Sequence, residues 1–556
     1  MHHQMTTGRA MLAAALSGLT VFVALLLTAA PIGVTWDEPI YCEAAERAVG
    51  WLGLIARGEV AQAFDPYTFG ISWGLVNEHP PLMRVLNGLG WAATRGLLPL
   101  PTAHRVGAML LASVALGVLV GVTGQKRGIW PALFAGAAVL TMPRLFLHAH
   151  LAALDFPHAA TWILATLAFY AAFQKPRPWS PLLVGVGLGL ALLTKINAVL
   201  LVPCWGLWLL LYHRSWRHLA AFVLTLPVGL SVLIAGWPWV WQDPVGRLIN
   251  WARFFQVHFE IRQWFAGHLY VQTPWYLPPA MIGITTPVIL LALATLGIFA
   301  AGKRQSGLSD WTGLHLLGLL VVPGYYMLPL TSIHDQERLL LPAFVHLAVL
   351  AADGFAAICS PLSGTHGRPL RVPSRAPTPG RVPSFALRHA LCLVLAVLLL
   401  LPGFLGILRL HPFELSYYNE LVGGLPGAQR LGLETTYFAS TYGYFLPWLN
   451  RLPAGSRLWV MPNSWDVIYY YQRHGLLQDD LVLLRPPGWG SFYDDAGVLS
   501  AEGWLEAADY ALIDRRQTTF NAVIPEYAVQ LEWAASKPEL ARLERDGVLL
   551  AALYGR

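Results

Sequence analysis

Long apolar runs separated by short charged loops dominate this chain. They lie near residues 10–32, 104–124, 129–147, 156–173, 180–195, 197–212, 219–236, 277–301, 311–330, 338–358 and 385–408. A helix of about 20 apolar residues crosses the hydrocarbon core of a bilayer, so the pattern predicts a polytopic α-helical membrane protein of about 11 spans. The fifth and sixth runs are short. They are joined by Thr194-Lys195-Ile196-Asn197, which predicts a tight hairpin that does not fully cross. Arg9 precedes the first run, which is too long for a signal-peptide core and reads as a retained anchor.

Charge in the loops assigns the sides. Arg9, Lys126 with Arg127, Lys175 with Arg177, Arg214 with Arg217, and Lys303 with Arg304 all fall on one side. So does segment 360–384, rich in proline and arginine and free of acid. By the positive-inside rule that side is cytoplasmic. The opposite side receives the acidic loop 37–78, loops 148–158, 237–276 and 332–338, and everything after about Arg409. The expected location is therefore the cell membrane, with the N-terminus cytoplasmic and the C-terminal part extracytoplasmic.

Composition agrees with this reading. Of 556 residues only 12% are charged, against roughly 25% in soluble domains, and 56% are hydrophobic. The net charge of +6 collects in short loops and reports topology rather than nucleic-acid binding. The four cysteines show no CxxC or Cys/His metal spacing. After His411 charge rises. Runs at 457–461, 481–484 and 510–513 read as buried strands, with a helix at 464–474, which predicts a C-terminal α/β domain without a phosphate loop or nucleophile elbow. The expected division is a catalytic membrane domain at 1–358, a disordered cytoplasmic linker at 359–384, a last transmembrane helix at 385–408 and an extracytoplasmic domain at 409–556. No fixed-period repeat is visible.

Candidate chemistry lies at the span ends on the acidic side. Asp37-Glu38 follows the first run directly, where a carboxylate pair keeps its water and meets lipid head groups; it reads equally as an acidic helix start. Asn77-Glu78-His79-Pro80-Pro81-Leu82 precedes a stretch suited to an interfacial helix, or is a plain helix-breaking turn. Asp155 stands where an apolar helix resumes, as a functional acid or an N-cap. Lys195 tips the short hairpin, holding an anion or snorkelling. Loop 237–276 interleaves Arg247, Arg253, His258, Arg262 and His268 with aromatics. Carboxylates to take a proton and cations to hold a leaving phosphate are what transfer from a lipid-linked sugar phosphate requires, and a carboxylate beside a histidine can also hold a divalent cation.

These motifs resemble a known group. Trp36-Asp37-Glu38-Pro39-Ile40-Tyr41 is similar to the first-loop acidic motif of GT-C membrane glycosyltransferases, closest to the family-39 protein O-mannosyltransferases and ArnT-like lipid A transferases. Glu78-His79-Pro80-Pro81-Leu82 resembles their E-x-P-P-L segment, and Asp155 lies where they place a second acid. Gly189-Leu190-Ala191-Leu192-Leu193-Thr194-Lys195 resembles their hairpin. Pro274-Trp275-Tyr276-Leu277-Pro278 and Arg338-Leu339-Leu340-Leu341-Pro342 resemble later landmarks. The likeness covers roughly residues 10–360. It departs at His79, where ArnT-like members carry lysine, and in the tail, which is unlike a MIR domain.

The resemblance implies an inverting sugar transfer from a polyprenyl-phosphate donor to a protein, lipid or glycan acceptor on the outer face. It implies Asp37 as base with Glu38 sharing the role, each raising the other's pKa. Asp155 completes the catalytic set. Lys195, Arg338 and Arg262 are expected at the donor phosphate, and Glu78, His79 and His268 at the acceptor or a divalent metal. A polytopic lipid or solute transporter or flippase is the alternative, but it predicts charges inside the spans, whereas here nearly all ionisable groups lie at span ends.

Overall fold

The structure is a computed structural model that describes residues 5–256, 262–302, 308–329, 331, 333, 335–360, 385–462, 464–484, 507–518 and 531–555. The expected linker at 359–384 falls almost wholly outside these residues, as does His258. Six described helices are long and apolar enough to span: Thr7–Thr28, Thr102–Arg127, Asp155–Phe173, Trp216–Ala235, Arg338–Cys359 and Ala386–Leu410. Thr102–Arg127, Asp155–Phe173 and Arg338–Cys359 are mostly buried and form the centre. The other three expose most of their apolar surface, as lipid-facing helices do. Helices pack closely where glycine removes a side chain. A Cβ on Gly354 would lie 2.0 Å from the carbonyl oxygen of Leu293, so the helices Leu341–Cys359 and Val288–Gly302 touch backbone to backbone.

The remaining apolar runs are also helical but shorter or broken. Ser180–Thr194 and Ile196–Tyr212 form the expected pair of short helices, with Lys195 in extended backbone between them (φ −156°, ψ 135°). Run 277–301 reads as one span, yet it is two helices, Leu277–Thr285 and Val288–Gly302, bent by 112°. Pro287 supplies the reason: it has no N–H to donate and disfavours helical backbone at Thr286, which is extended at ψ 135°. The break frees carbonyls, and the tail caps them. Asn419 Nδ2 donates to Gly283 O and to Thr286 O, each at 2.6 Å.

Loop 37–78 and its continuation form an array of helices at one end of the bundle: Glu38–Ala56, Val60–Ala63, Pro66–Gly74 and the amphipathic Leu82–Thr94. At the opposite end Arg127 pairs with Asp353 at 2.7 Å and bonds Ser309 and Thr312, while Gln174 bonds Asp310. Arg127 and Gln174, beside two of the charged loops assigned to one side, thus meet Ser309, Asp310, Thr312 and Asp353 at one end.

The tail is an α/β domain on a five-stranded sheet. Strands Arg457–Met461, Val482–Leu483 and Tyr510–Asp514 pair in parallel, with helix Trp465–Arg473 between the first two, as the apolar pattern predicts. Strands Glu539–Arg545 and Val548–Gly555 complete it as an antiparallel hairpin. Sequence reading did not anticipate these two. Their signal is Asp546-Gly547, both with positive φ, which suits the two-residue turn that matches strand twist.

Candidate active site

Four of the charged residues singled out on separate loops, Asp37, Asp155, Lys195 and Arg338, meet at the end of the bundle that carries helix Glu38–Ala56. Asp155, the first residue of its helix, is fully buried. Its Oδ1 accepts from Lys195 Nζ at 2.7 Å and its Oδ2 from Arg338 Nε at 2.9 Å. The Arg338 guanidinium also donates to Asp37 Oδ2 at 2.6 Å and to Asp335 Oδ2 at 2.7 Å. Apart from Asp335, the members sit at helix boundaries. Asp37 precedes Glu38–Ala56, Arg338 opens the turn Arg338–Leu340, and Lys195 separates two helices. Helix N-termini favour Asp37 and Asp155 electrostatically. Of the two, Asp37 alone keeps solvent access, with 26% of its side chain exposed against none for Asp155.

Adjacent positions on a helix point about 100° apart, and here that separates the acidic pair. Asp37 faces the cations. Glu38 turns into the protein, where Arg105 grips it with Nε at 2.7 Å and Nη2 at 2.6 Å, and the backbone N–H groups of Thr35 and Ala152 donate at 2.9 and 2.8 Å. The expected mutual raising of the two carboxyls is not what this arrangement produces. Burial raises the Asp37 carboxyl, Arg338 opposes it, and Asp335 and Asp155 add to the rise. Burial would raise Glu38 as well, but Arg105 and the backbone donors outweigh it and hold Glu38 below the usual carboxylate value.

His79 lies beside this cluster, its ring edge-on to Tyr41 with centroids 6.0 Å apart. Its enclosure, with Lys195 and Arg84 nearby, pushes its pKa down to about 3, so the ring is neutral at physiological pH. Glu78 is partly exposed, and its backbone carbonyl accepts from Trp251 Nε1 at 2.8 Å. Arg262 is half-buried at the foot of the hairpin Gln263–Phe265/His268–Tyr270, and Gln263 Oε1 of that hairpin accepts from Gln336 N at 3.4 Å. His268 is exposed at the other strand, against Tyr270. Among the described residues no group of three or more His, Cys, Asp or Glu side chains forms that could hold a metal ion, so Glu78, His79 and His268 do not assemble into one.

Several contributors escape sequence reading. Arg144, fully buried, pairs with Glu337 at 2.5 Å, and Tyr437 Oη donates to the other Glu337 oxygen at 2.6 Å, which fixes the residue next to Arg338. Phe438 lies under the Arg338 guanidinium, 3.9 Å from carbon to ring centre. Arg516, just past strand Tyr510–Asp514, donates to Asp335 at 2.5 Å. The usable signals were basic residues at or inside apolar helices without a nearby acid in sequence, Arg105 and Arg144. A cavity of about 440 Å³ opens next to this segment, lined by Trp264, Gln429, Thr435, Arg515 and Gln517.

Residues 79–241, which include His79, Asp155 and Lys195, match the profile of the dolichyl-phosphate-mannose-protein mannosyltransferase family. That segment is under a third of the chain, and its match agrees with the resemblance to GT-C membrane glycosyltransferases that the motifs carry. The particular likeness is to ArnT from Cupriavidus metallidurans. The crystal structure of its apo state matches 97% of this chain and 98% of its own, with a TM-score of 0.51 at 15% identity, so the architecture is shared over the tail as well as the bundle. The structure of the same protein bound to undecaprenyl phosphate covers 99% and 98% with a TM-score of 0.49 at 15% identity. No curated protein matches the sequence.

Proposed function

We propose that this chain transfers a sugar from a polyprenyl-phosphate donor to an acceptor hydroxyl at the outer face of the cell membrane, with inversion. One observation carries the reading: Lys195 and Arg338 flank Asp155 while the same Arg338 holds the solvent-reaching Asp37. Two cations joined through Asp155, one of them in contact with an accessible carboxylate, suit a single displacement. Asp37 takes the acceptor proton, the acceptor oxygen attacks the anomeric carbon, and the bond to the donor phosphate breaks with its electron pair leaving on the phosphate. Lys195 and Arg338 hold that growing charge. One direct displacement inverts the anomeric centre. The matched family's description names a dolichyl-phosphate sugar donor, which supports the polyprenyl class here. Glu38 acts as a positioning residue in this scheme, since both its oxygens are already engaged.

Lys195→Met should weaken donor binding and slow transfer by about ten- to a hundredfold, the worth of one charge-assisted hydrogen bond that strengthens as the phosphate leaves. Steady-state kinetics with a polyprenyl-phosphate sugar and purified protein measures this. Unchanged affinity and rate would leave Lys195 as a structural partner of Asp155. The outer-face part of the reading rests on the loop charges. Arg375→Cys should stay unlabelled by an impermeant thiol reagent in intact cells, and Glu59→Cys should react. All four native cysteines are buried, so the background is low. Labelling at 375 would reverse the orientation.

A further inference from the structure

We infer that the C-terminal domain supplies positioning residues of the donor site, and that Arg516 keeps Arg338 available to a phosphate by sharing Asp335 with it. The inference rests on the proposed role of Arg338 at the donor phosphate. Asp335 divides its carboxylate: Oδ2 accepts from Arg338 at 2.7 Å and Oδ1 from Arg516 at 2.5 Å. Without Arg516 more of the negative charge of Asp335 would fall on Arg338 and compete with an arriving phosphate. Arg516 also lies over the Trp36 ring at 5.3 Å, and Trp36 N donates to Phe438 O at 2.9 Å. The tail therefore holds the residue before Asp37 and the face of Arg338 together.

Backbone geometry at this meeting is costly. Asp335 and Gln336 have φ of 51° and 63°, while Phe438 and Ala439, on the tail segment packed against Arg338, have φ of 65° and 53°. Side chains other than glycine rarely occupy this region, and such conformations persist where surrounding contacts over-determine them. Those contacts are present. Buried Asp514 accepts from Thr436 and from Thr441 Oγ1 at 2.5 Å, so the sheet end that carries Arg516 is tied to the segment that carries Phe438. Buried Glu434 accepts from Thr518 N at 2.8 Å and Oγ1 at 2.5 Å on the far side of Arg516. Both latches brace Arg516 without touching the substrate side.

The test measures binding of undecaprenyl phosphate to the purified full-length chain in nanodiscs. Arg516→Gln should weaken binding about tenfold, as expected for loss of one charged hydrogen-bond partner. Arg516→Lys should recover part of the loss. The decisive variant is the double substitution Arg516→Gln with Asp335→Asn. Removing the carboxylate charge removes the competition, so affinity should return to within about threefold of wild type, a coupling that independent sites would not show. A merely structural Arg516 predicts the reverse, a double variant no tighter than the single one. Phe438→Leu should cost about two- to tenfold through loss of the aromatic face under Arg338. Wild-type binding with Arg516→Gln undiminished, or a double variant that stays weak, overturns the inference while leaving the donor reading intact. Wild-type protein that does not bind undecaprenyl phosphate overturns the donor reading itself, and this inference with it.

Discussion

Asp37→Asn should abolish most transfer, with kcat lower by roughly 10²–10⁴, the usual contribution of a general base. Donor affinity should change little, because the asparagine oxygen still accepts from Arg338 and the guanidinium keeps Asp155 and Asp335. The fold should survive, since Asp37 lies at a helix end with solvent access. The pH profile gives an independent check. The working form is the carboxylate, and burial raises its pKa above the ordinary 3.8, against the pull of Arg338. Activity should therefore fall with decreasing pH through that raised value, and the acid limb should disappear from the residual rate of Asp37→Asn. Full activity in the variant would move the base elsewhere. Asp155 would be next in reach, although Lys195 and Arg338 already engage both its oxygens.

Much of this site was legible because a membrane protein confines ionisable groups to span ends. Asp37, Asp155, Lys195 and Arg338 stand out in sequence as charges bordering apolar runs, and the structure brings all four together. Three of the five described tail strands were legible as short apolar runs, two of them buried parallel strands and the third, Val482–Leu483, a partly exposed edge strand. What sequence could not show is which charge answers which. Glu38 and Asp37 are neighbours in the chain yet face different partners, and Arg105, 67 residues from Glu38, decides that difference. Phe438 and Arg516 carry no signal at all, because their role arises only when the tail packs against the bundle. The break at Pro287 was legible as a proline, but the caps that make it tolerable come from Asn419, far along the chain.

Glu38→Gln should destabilise the protein by about 3–5 kcal/mol, the cost of removing one partner from a buried ion pair. Both side chains of the Glu38–Arg105 pair are fully buried, so the arginine would be left with its charge uncompensated apart from the carbonyls of Ile32 and Gly33. Arg105→Met should cost a similar amount for the complementary reason, an acid stranded in the interior. Combining Glu38→Gln with Arg105→Met should cost less than the sum, because neither charge then remains unpaired. Thermal unfolding in detergent measures all three. The pH dependence has a definite sign. Glu38 titrates below its ordinary 4.5 in the folded protein, so its contribution is fully present above about 4.5 and is lost as pH falls through the lower folded value. Wild type should thus lose stability on acidification in a window where Glu38→Gln does not. A Glu38→Gln protein that keeps its melting temperature and loses kcat by the amount expected for Asp37→Asn would place Glu38 in the chemistry and return the base to the pair.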